Sequence, residues 1–339
     1  MRLPQLRLGN LRPRWPIIQG GMAIRISTGR LAGAVAEAGG IGVIAGTGMS
    51  EDELGAEIRI ARAIAPRGVI GVNVMFAVRR FAELVQRAID EGIDVVISGA
   101  GFSRDMFAWG RAAKVPIVPI VCSAKLARVS QDLGAAGVVV EGKEAGGHLG
   151  TDRSMQALVP EVREAVDIPV IAAGGIVEAA DVVRAFEMGA DGVQMGIRFA
   201  ASKESNAADS LKQVYLRATD EDILLIQSPV GLPGRAIRNK FTEDLAAGRV
   251  EPSKECSACL KKCSRAFCIR EALCRAQQGD VETGLIFSGQ YVGRVHEILP
   301  AKEIIDRLVR QVLELRAAAL TKRTPIPSTA PAGGSTSRS

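Results

Sequence analysis

The sequence has few aromatic residues and few histidines. Phe, Trp and Tyr make up 4% of its 339 residues, and there are two histidines. The net charge is +6, but the basic residues are scattered, and so few rings offer little surface for stacking on nucleic-acid bases. We interpret the charge as a solvated surface with a weak attraction for acidic partners, and we expect no nucleic-acid partner.

Long apolar runs are also missing, and the cysteines are concentrated in one segment. No run approaches the about 18 apolar residues of a membrane span, and no charged start precedes an apolar stretch as in a secretion signal. We therefore expect a cytoplasmic protein with no membrane partner. Five of the six cysteines lie between residues 256 and 274, which favours metal binding or redox chemistry over disulfides.

Short apolar segments recur eight times before residue 200. Each of the first seven precedes a stretch with helical spacing of apolar positions, as between Leu31 and Ala38. This alternation predicts an α/β fold with a parallel sheet buried on both faces. Eight units favour a (β/α)8 TIM barrel over an open doubly wound sheet, which is the alternative. The segments are Pro16–Gln19, Ile41–Ala45, Val69–Asn73, Asp94–Ser98, Pro116–Val121, Gly137–Glu141, Pro169–Ala173 and Asp191–Met195.

The remainder of the chain divides by composition. Residues 1–15 are predicted to be a lead-in and residues 16–200 to hold the barrel strands. A smaller, mostly helical and cysteine-rich insertion is predicted over residues 201–285, before the last helix. Residues 286–320 are predicted to complete the barrel. Residues 321–339, rich in Pro, Ser, Thr and Gly, have too little apolar surface to fold and are predicted to be disordered.

Glycine-rich turns follow the seventh and eighth strands, at residues 172–176 and 194–198. In barrels of this kind these two loops commonly bind phosphate, because glycine lets backbone N–H groups approach and a following helix offers its positive end. Ordinary turn chemistry is the alternative for either loop alone. The two loops together favour a phosphate site.

Glycines and amides also follow the first and third strands. The QGGM segment at residues 19–22 closes strand one, and Asn73 closes strand three. A flat ring can lie against glycine backbone while amide groups bond to its donors and acceptors. A phosphate near strands seven and eight with a planar ring over the barrel mouth describes flavin mononucleotide (FMN). For Asn73, a helix cap is the alternative.

His148 lies just past strand six in a glycine-rich loop, at the end of the barrel where catalysis is expected. Histidine titrates near neutrality and can exchange a proton with a bound substrate. We predict a catalytic role for His148. We interpret His296 as structural or solvated.

Together these segments resemble the nitronate monooxygenase family, formerly called 2-nitropropane dioxygenases, and the similar FMN-dependent enoyl-acyl-carrier-protein reductases of the FabK type. The resemblance covers residues 14–315 and rests on QGGM at 19–22, GVN at 71–73, EGKEAGGHLG at 141–150, AAGGI at 172–176, GVQMGIRF at 192–199 and FSGQ at 287–290. It implies bound FMN and His148 as the catalytic histidine. The implied cofactor-site residues are Gly20, Gly21, Met22, Asn73, Glu141, Gly146, Gly174, Gly175, Gln194, Met195, Gly196 and Ile197, with Gln290 towards the substrate.

Two positions depart from the family pattern. Glu141 stands where many nitronate monooxygenases have Gln, and Ile197 replaces a frequent Thr that can donate to phosphate. Backbone N–H groups survive the second change, so we expect FMN binding to persist.

The cysteine segment departs further from both subgroups. Cys256, Cys259, Cys263 and Cys268 are separated by two, three and four residues. Closely spaced thiolates suit zinc or an iron–sulfur cluster, although this spacing matches neither a paired zinc ribbon nor the common ferredoxin run. We predict these four as metal ligands, with free thiols as the alternative. We interpret Cys274 as a spare and Cys122 as a small core residue.

Three functions follow as hypotheses. The first is an FMN-dependent nitronate monooxygenase that oxidises alkyl nitronates or nitroalkanes with O2, His148 positioning the substrate or assisting proton transfer. The second is an NAD(P)H-dependent enoyl-thioester reductase, with His148 protonating the α-carbon and the basic surface meeting an acyl carrier protein. Glu141, in place of the Gln of many nitronate monooxygenases, favours this second hypothesis. The third is a flavoprotein that receives electrons from a redox partner through a cysteine-ligated cluster. The sequence leaves the pyridine nucleotide and the oligomeric state open, a homo-oligomer included.

Overall fold

A computed structural model describes residues 3–252 and 256–323, and eight parallel strands in it form a closed barrel. Each strand begins and ends within two residues of its predicted bounds, so the predicted TIM barrel is confirmed. The last barrel strand pairs with the first, which closes the sheet. The barrel strands are β1 (Ile17–Gln19), β2 (Ile41–Ala45), β3 (Val69–Met75), β4 (Val95–Gly99), β5 (Ile117–Val121), β6 (Val138–Glu141), β8 (Val170–Ala173) and β9 (Gly192–Met195).

Helices surround the barrel and bury their apolar faces against the strands. Serine caps several of them: Ser50 accepts from the N–H of Glu53 at the start of α2, and Ser154 accepts from that of Ala157 at the start of α6. The helices of the ring are α1 (Gly29–Glu37), α2 (Glu51–Ile64), α3 (Phe81–Asp90), α4 (Asp105–Ala113), α5 (Ala124–Asp132), α6 (Met155–Ala165), α7 (Ala179–Glu187) and the short α8 (Ile197–Ala200).

The lead-in segment closes the amino-terminal end of the barrel. Leu6 and Leu8 are fully buried and pack with the inward-facing side chains of the strands. A Cβ atom added to Gly137 would lie 2.8 Å from Leu8 Cδ2, which shows how closely the segment fits. Because this end is filled, a ligand can enter the barrel only from the carboxyl-terminal ends of the strands.

The insertion is less helical than predicted. Besides α9 (Asp209–Arg217), α10 (Lys240–Ala246) and α11 (Ile269–Gln278), it contains a hairpin of β10 (Ile223–Gln227) and β11 (Pro233–Ile237). Strand β11 pairs antiparallel with the two-residue strand β7 (Gly147–His148), so the insertion forms a small sheet with the loop after β6. The hairpin was not predicted, because residues 228–235, where its turn and the start of β11 lie, are rich in Pro and Gly and lack the apolar alternation of a strand.

Helix α12 (Ala301–Arg323) completes the outer ring by packing on α1 and α7. It continues three residues into the segment predicted to be disordered, and the rest of that segment, residues 324–339, lies outside the described residues. Within the described part of the chain, no helix combines the length and the apolar character that crossing a bilayer requires.

Candidate active site

A cavity of about 640 Å³ opens at the carboxyl-terminal ends of the barrel strands. Its volume is in the range of small-molecule and cofactor pockets. The structure brings thirteen of the residues predicted from the sequence into its wall: Gly20, Gly21, Met22, Asn73, Glu141, Gly146, His148, Gly174, Gly175, Gln194, Gly196, Ile197 and Gln290.

Met195 does not line this cavity. It is fully buried in the layer between the strands and the outer helices. Successive side chains of a strand point to opposite faces, so Gln194 faces the cavity and Met195 faces the helices. The placement of Met195 in the cofactor site is therefore corrected, although its carbonyl accepts from the N–H of Gly20.

The turn after β8 is built from glycines that no other residue would replace without strain. Gly174 and Gly175 have φ angles of +94° and +72°, in the region that side chains rarely adopt. A Cβ atom on Gly175 would also lie 2.9 Å from the Tyr291 ring and 3.0 Å from Glu144 Cβ. The backbone at this end of the cavity is thus open to a ligand and closed to larger side chains.

Amide side chains lie next to glycines on the neighbouring strands. The side-chain oxygen of Gln194 is buried with no hydrogen-bond partner in the described structure, and a Cβ atom on Gly20 would lie 3.2 Å from Gln194 Cγ. A Cβ atom on Gly21 would lie 2.5 Å from Asn73 Cβ. Asn73 lies inside β3 and Arg80 is the N-cap of α3, so the helix-cap alternative for Asn73 is excluded. The buried Gln194 oxygen has no partner within the described structure and lies next to glycine backbone, which fits a flat ligand that can donate a hydrogen bond.

Glu141 ends β6 and faces the cavity. Burial raises the pKa of its carboxyl to about 7, because the charged form loses its hydration. Burial also raises the pKa of the Cys122 thiol, and the neighbouring Glu141 contributes to that shift. The cavity therefore presents a carboxyl group that carries its proton up to near neutrality.

His148 stands in the cavity wall on β7. Its Nε2 is 2.8 Å from the hydroxyl of Ser228, and its ring meets that of Phe287 edge-on at 5.3 Å. Burial lowers the pKa of His148 to about 4, so the imidazole is neutral near pH 7. A neutral imidazole can accept a proton at one nitrogen and donate from the other.

Two residues that the sequence analysis missed hold the loop of His148 in place. The Arg235 guanidinium donates to the carbonyl oxygens of Lys143 and Ala145, at 2.6 Å and 3.1 Å. The Glu144 carboxylate accepts from the N–H of Met155 at the start of α6. Arg235 acts across 90 residues or more and Glu144 across 11, and neither contact follows the period of a single helix or strand.

The outer end of the cavity is formed by the cysteine segment and by the loop after β3. Residues 257–260 line it together with Arg79 and Arg270. The Arg79 side chain donates to the carbonyl oxygen of Leu260 at 3.0 Å. In the described part of the chain, no salt bridge joins either arginine to a carboxylate. Arg80, in the same wall, is paired with Glu51, and Arg270 contributes after Arg25 to the lowered pKa of Glu53. The mouth of the cavity therefore presents two guanidinium groups that form no salt bridge of their own among the described residues.

The four predicted metal ligands are not brought together. Cys256 and Cys263 are exposed, whereas Cys259 and Cys268 are partly buried. The sulfurs of Cys256 and Cys263 each accept from a backbone N–H two residues later in their own turns, at 3.4 Å. Among residues 3–252 and 256–323, no three Cys, His, Asp or Glu side chains converge as metal ligands. The described structure therefore gives the predicted cluster no support.

These features define a TIM-barrel enzyme with a cofactor-sized cavity at its catalytic end. The model of the nitronate monooxygenase family matches residues 7–83 and 70–311. The chain belongs to the nitronate monooxygenase family, and the prediction of a flavin-dependent oxidoreductase of this type is confirmed.

Three known proteins illustrate the range of the similarity. FabK from Thermotoga maritima is 33% identical, with a TM-score of 0.83 over 91% of this chain and 96% of FabK. A nitroalkane oxidase from Streptomyces ansochromogenes is 26% identical, with a TM-score of 0.77 over 91% of this chain and 98% of the oxidase. A (3aS,4S,5R,7aS)-5-hydroxy-7a-methyl-1-oxo-octahydro-1H-indene-4-carboxyl-CoA dehydrogenase from Mycobacterium tuberculosis is 29% identical over 87% of this chain and 92% of the dehydrogenase.

Proposed function

We propose that the chain is an FMN-dependent oxidoreductase of acyl thioesters, acting as an NAD(P)H-dependent enoyl-thioester reductase. The observation that carries the choice of substrate is the cavity mouth, where Arg79 and Arg270 line the outer end and form no salt bridge within the described structure. A thioester carried on coenzyme A or on an acyl carrier protein brings a long arm with phosphate groups. A nitronate is also an anion, but it is small and has no phosphate-bearing arm that could reach the mouth while its reacting carbon lies at the inner end.

The residues present fit FMN. The turns at Gly174–Gly175 and Gly196 would hold its phosphate, while Gly20, Gly21 and Asn73 would face its ring. The orphaned oxygen of Gln194 would accept a hydrogen bond from it. When bound, FMN supplies the hydride chemistry that amino-acid side chains lack. The chain supplies orientation, a dry apolar wall that includes Met22 and Met75, and a proton carrier.

His148 is the proton carrier in this proposal. Its neutral ring is suited to accept a proton, and a negative charge developing beside it in the bound state raises its pKa and favours the protonated form. A protonated His148 can then deliver the proton to the α-carbon of the thioester. The protonated carboxyl of Glu141 adds a hydrogen-bond donor to the same wall without adding charge.

The arginines act on the distant end of the substrate. Guanidinium groups form strong charge-assisted hydrogen bonds with phosphate oxygens. The Arg79 side chain also donates to the Leu260 carbonyl, so this arginine joins the mouth to the cysteine segment.

The test is anaerobic. NADH or NADPH should bleach the flavin of the loaded enzyme, and crotonyl-CoA should restore its colour. Crotonate, which has no carrier arm, should restore it far more slowly. If neither nucleotide reduces the flavin, the proposed reductase function is refuted.

A second function, oxidation of nitronates by O2, is favoured by the similarity to the nitroalkane oxidase. Oxygen consumption with propionate-3-nitronate, by an enzyme that is inert towards NADH and crotonyl-CoA, would establish this function instead.

A further inference from the structure

The loop between β10 and β11 reaches back to His148. Strand β11 pairs with β7 in a register that places Gly234 opposite His148, so the hairpin turn lies beside the imidazole. Ser228 at the start of this turn is buried, and its hydroxyl oxygen is 2.8 Å from His148 Nε2. This contact joins two segments that are 80 residues apart in the sequence.

The turn is held rigidly, so the serine is not free to move away. The N–H of Ser228 donates to the carbonyl of Leu232 at 3.2 Å, and the N–H of Gly231 donates to the carbonyl of Ser228 at 2.9 Å. The N–H of Ser264 in the cysteine segment donates to the carbonyl of Pro229 at 3.0 Å. The turn is therefore fixed from within and from the outer wall of the cavity.

The neighbours of the hydroxyl decide which way its proton points. Ser228 Oγ accepts from the N–H of Val230 at 3.3 Å, and within the described residues its other partner is His148 Nε2. A hydroxyl has one proton, and a buried hydroxyl proton without an acceptor is destabilising. If the Ser228 hydroxyl donates to Nε2, then the Val230 N–H, the hydroxyl proton and Nε2 all have partners. If Nε2 donated to the hydroxyl instead, the serine proton would have no acceptor among these groups.

We propose that Ser228 is a positioning residue that fixes His148 in the tautomer with its proton on Nδ1. Because Nε2 is occupied by Ser228, Nδ1 is the ring nitrogen left to meet a ligand in the cavity. Under the proposed function, on which this last step rests, His148 first takes up a second proton from solvent at Nε2, where the Ser228 hydroxyl turns to accept it. The imidazolium then gives its Nδ1 proton to the α-carbon and is left neutral. The edge-on contact with Phe287 holds the plane of the ring. The tautomer itself does not depend on which substrate is bound.

The test uses the small number of histidines. With two in the chain, ¹⁵N-labelled histidine gives two sets of ring signals, and a His296→Gln variant assigns them. We expect the flavin-free and the flavin-loaded proteins at neutral pH to show a protonated Nδ1 and an unprotonated Nε2 for His148. Ser228→Ala should mix the tautomers, and Ser228→Thr, which keeps the hydroxyl, should retain the wild-type pattern.

Ser288→Ala is the matched control, because Ser288 is equally buried near the cavity and its hydroxyl donates to the carbonyl of Gly289 instead. A wild-type protein with its proton on Nε2 overturns the inference, even if the Ser228→Ala variant fails to fold. So does a folded Ser228→Ala variant with an unchanged tautomer.

Kinetics then separate the inference from the proposed function. Ser228→Ala should lower kcat for crotonyl-CoA by about tenfold with little change in KM, because the tautomer affects the proton and not the carrier arm. An inactive wild-type enzyme with the expected tautomer would refute the reductase and leave the inference standing.

Discussion

The two ends of the cavity are built by different means. The inner end, at the turns after β8, β9 and β1, is made of backbone. A Cβ atom would be strained at Gly174 and Gly175 and would lie 2.5 Å from Asn73 Cβ at Gly21, whereas Gly196 has room for one. The outer end, at residues 257–260 with Arg79 and Arg270, is made of side chains, all of them exposed or partly buried except that of Leu260. The comparison indicates that cofactor binding depends on backbone shape, whereas substrate choice depends on charge. Substitutions at the inner end should accordingly have the larger effects.

The largest expected effect is that of Gly175→Ala. The new methyl group would collide with Tyr291 and Glu144 at a φ angle of +72°, so the turn must move. We expect the affinity of the apoprotein for FMN to fall about a hundredfold, equivalent to about 3 kcal/mol. Flavin fluorescence titration measures it.

Gly248→Ala is the matched control for that substitution. Gly248 has a similar φ of +68°, but no atom lies within 4 Å of its added Cβ. It should carry the same backbone strain and leave FMN affinity unchanged. Equal losses of affinity in both variants would show that strain alone, and not the shape of the inner end, governs cofactor binding.

Glu141→Gln tests the buried carboxyl through its effect on stability. The pKa of Glu141 is raised from 4.5 to about 7, so its stabilising contribution is present below pH 4.5 and is lost as the pH rises through about 7. Gln does not titrate, so the variant should gain about 2 kcal/mol in free energy of unfolding relative to wild type across that range. A pKa shift of this size corresponds to about 3 kcal/mol in free energy of unfolding. We expect a smaller difference because water can enter the empty cavity and solvate the charged carboxylate.

Urea unfolding of the two apoproteins at several pH values measures this difference. Below pH 4.5 both side chains are neutral, so that the low-pH comparison is the internal control. A difference that does not change with pH would show that Glu141 is solvated in the folded protein.

The paired substitution Arg79→Ala and Arg270→Ala tests the outer end. It should raise the KM for crotonyl-CoA about fivefold, near 1 kcal/mol, because the charges are partly exposed and screened by salt. The effect should shrink as the salt concentration rises, and FMN content should not change. Arg104→Ala, at the exposed N-cap of α4, is the control. An unchanged KM would remove the argument for a carrier-linked substrate.

The smallest expected effect is that of thiol modification on flavin content. Iodoacetamide should alkylate the exposed Cys256 and Cys263 quickly and the half-buried Cys122 and Cys274 slowly, with no loss of FMN. The predicted metal site requires the opposite. If Cys256 and Cys263 resist alkylation, and if anaerobically purified protein contains iron or zinc, the thiols converge when the metal is bound. The cysteine segment would then differ between the metal-bound and metal-free protein.

Features that have a local signal in the sequence were predicted correctly. All eight barrel strands and the glycine turns were found, because a buried strand needs a continuous apolar run and a sharp turn needs glycine. Thirteen of the predicted site residues line one cavity because parallel strands all end at the same rim. The error at Met195 arose from assigning a whole turn to the site without applying strand alternation.

What the chain alone determined is the barrel, the open end and the glycine-lined inner wall, since each depends on residues close together in sequence. Only the tertiary structure decided which group pairs with His148, which carbonyl groups Arg235 binds, which charges lie at the mouth of the cavity and how far the cysteines are separated. Each of these depends on hairpin and loop placement across tens of residues, and no periodic pattern encodes which distant backbone groups meet. The physical reason is that hydrogen bonds and burial act in space, while sequence patterns report only the faces of single helices and strands.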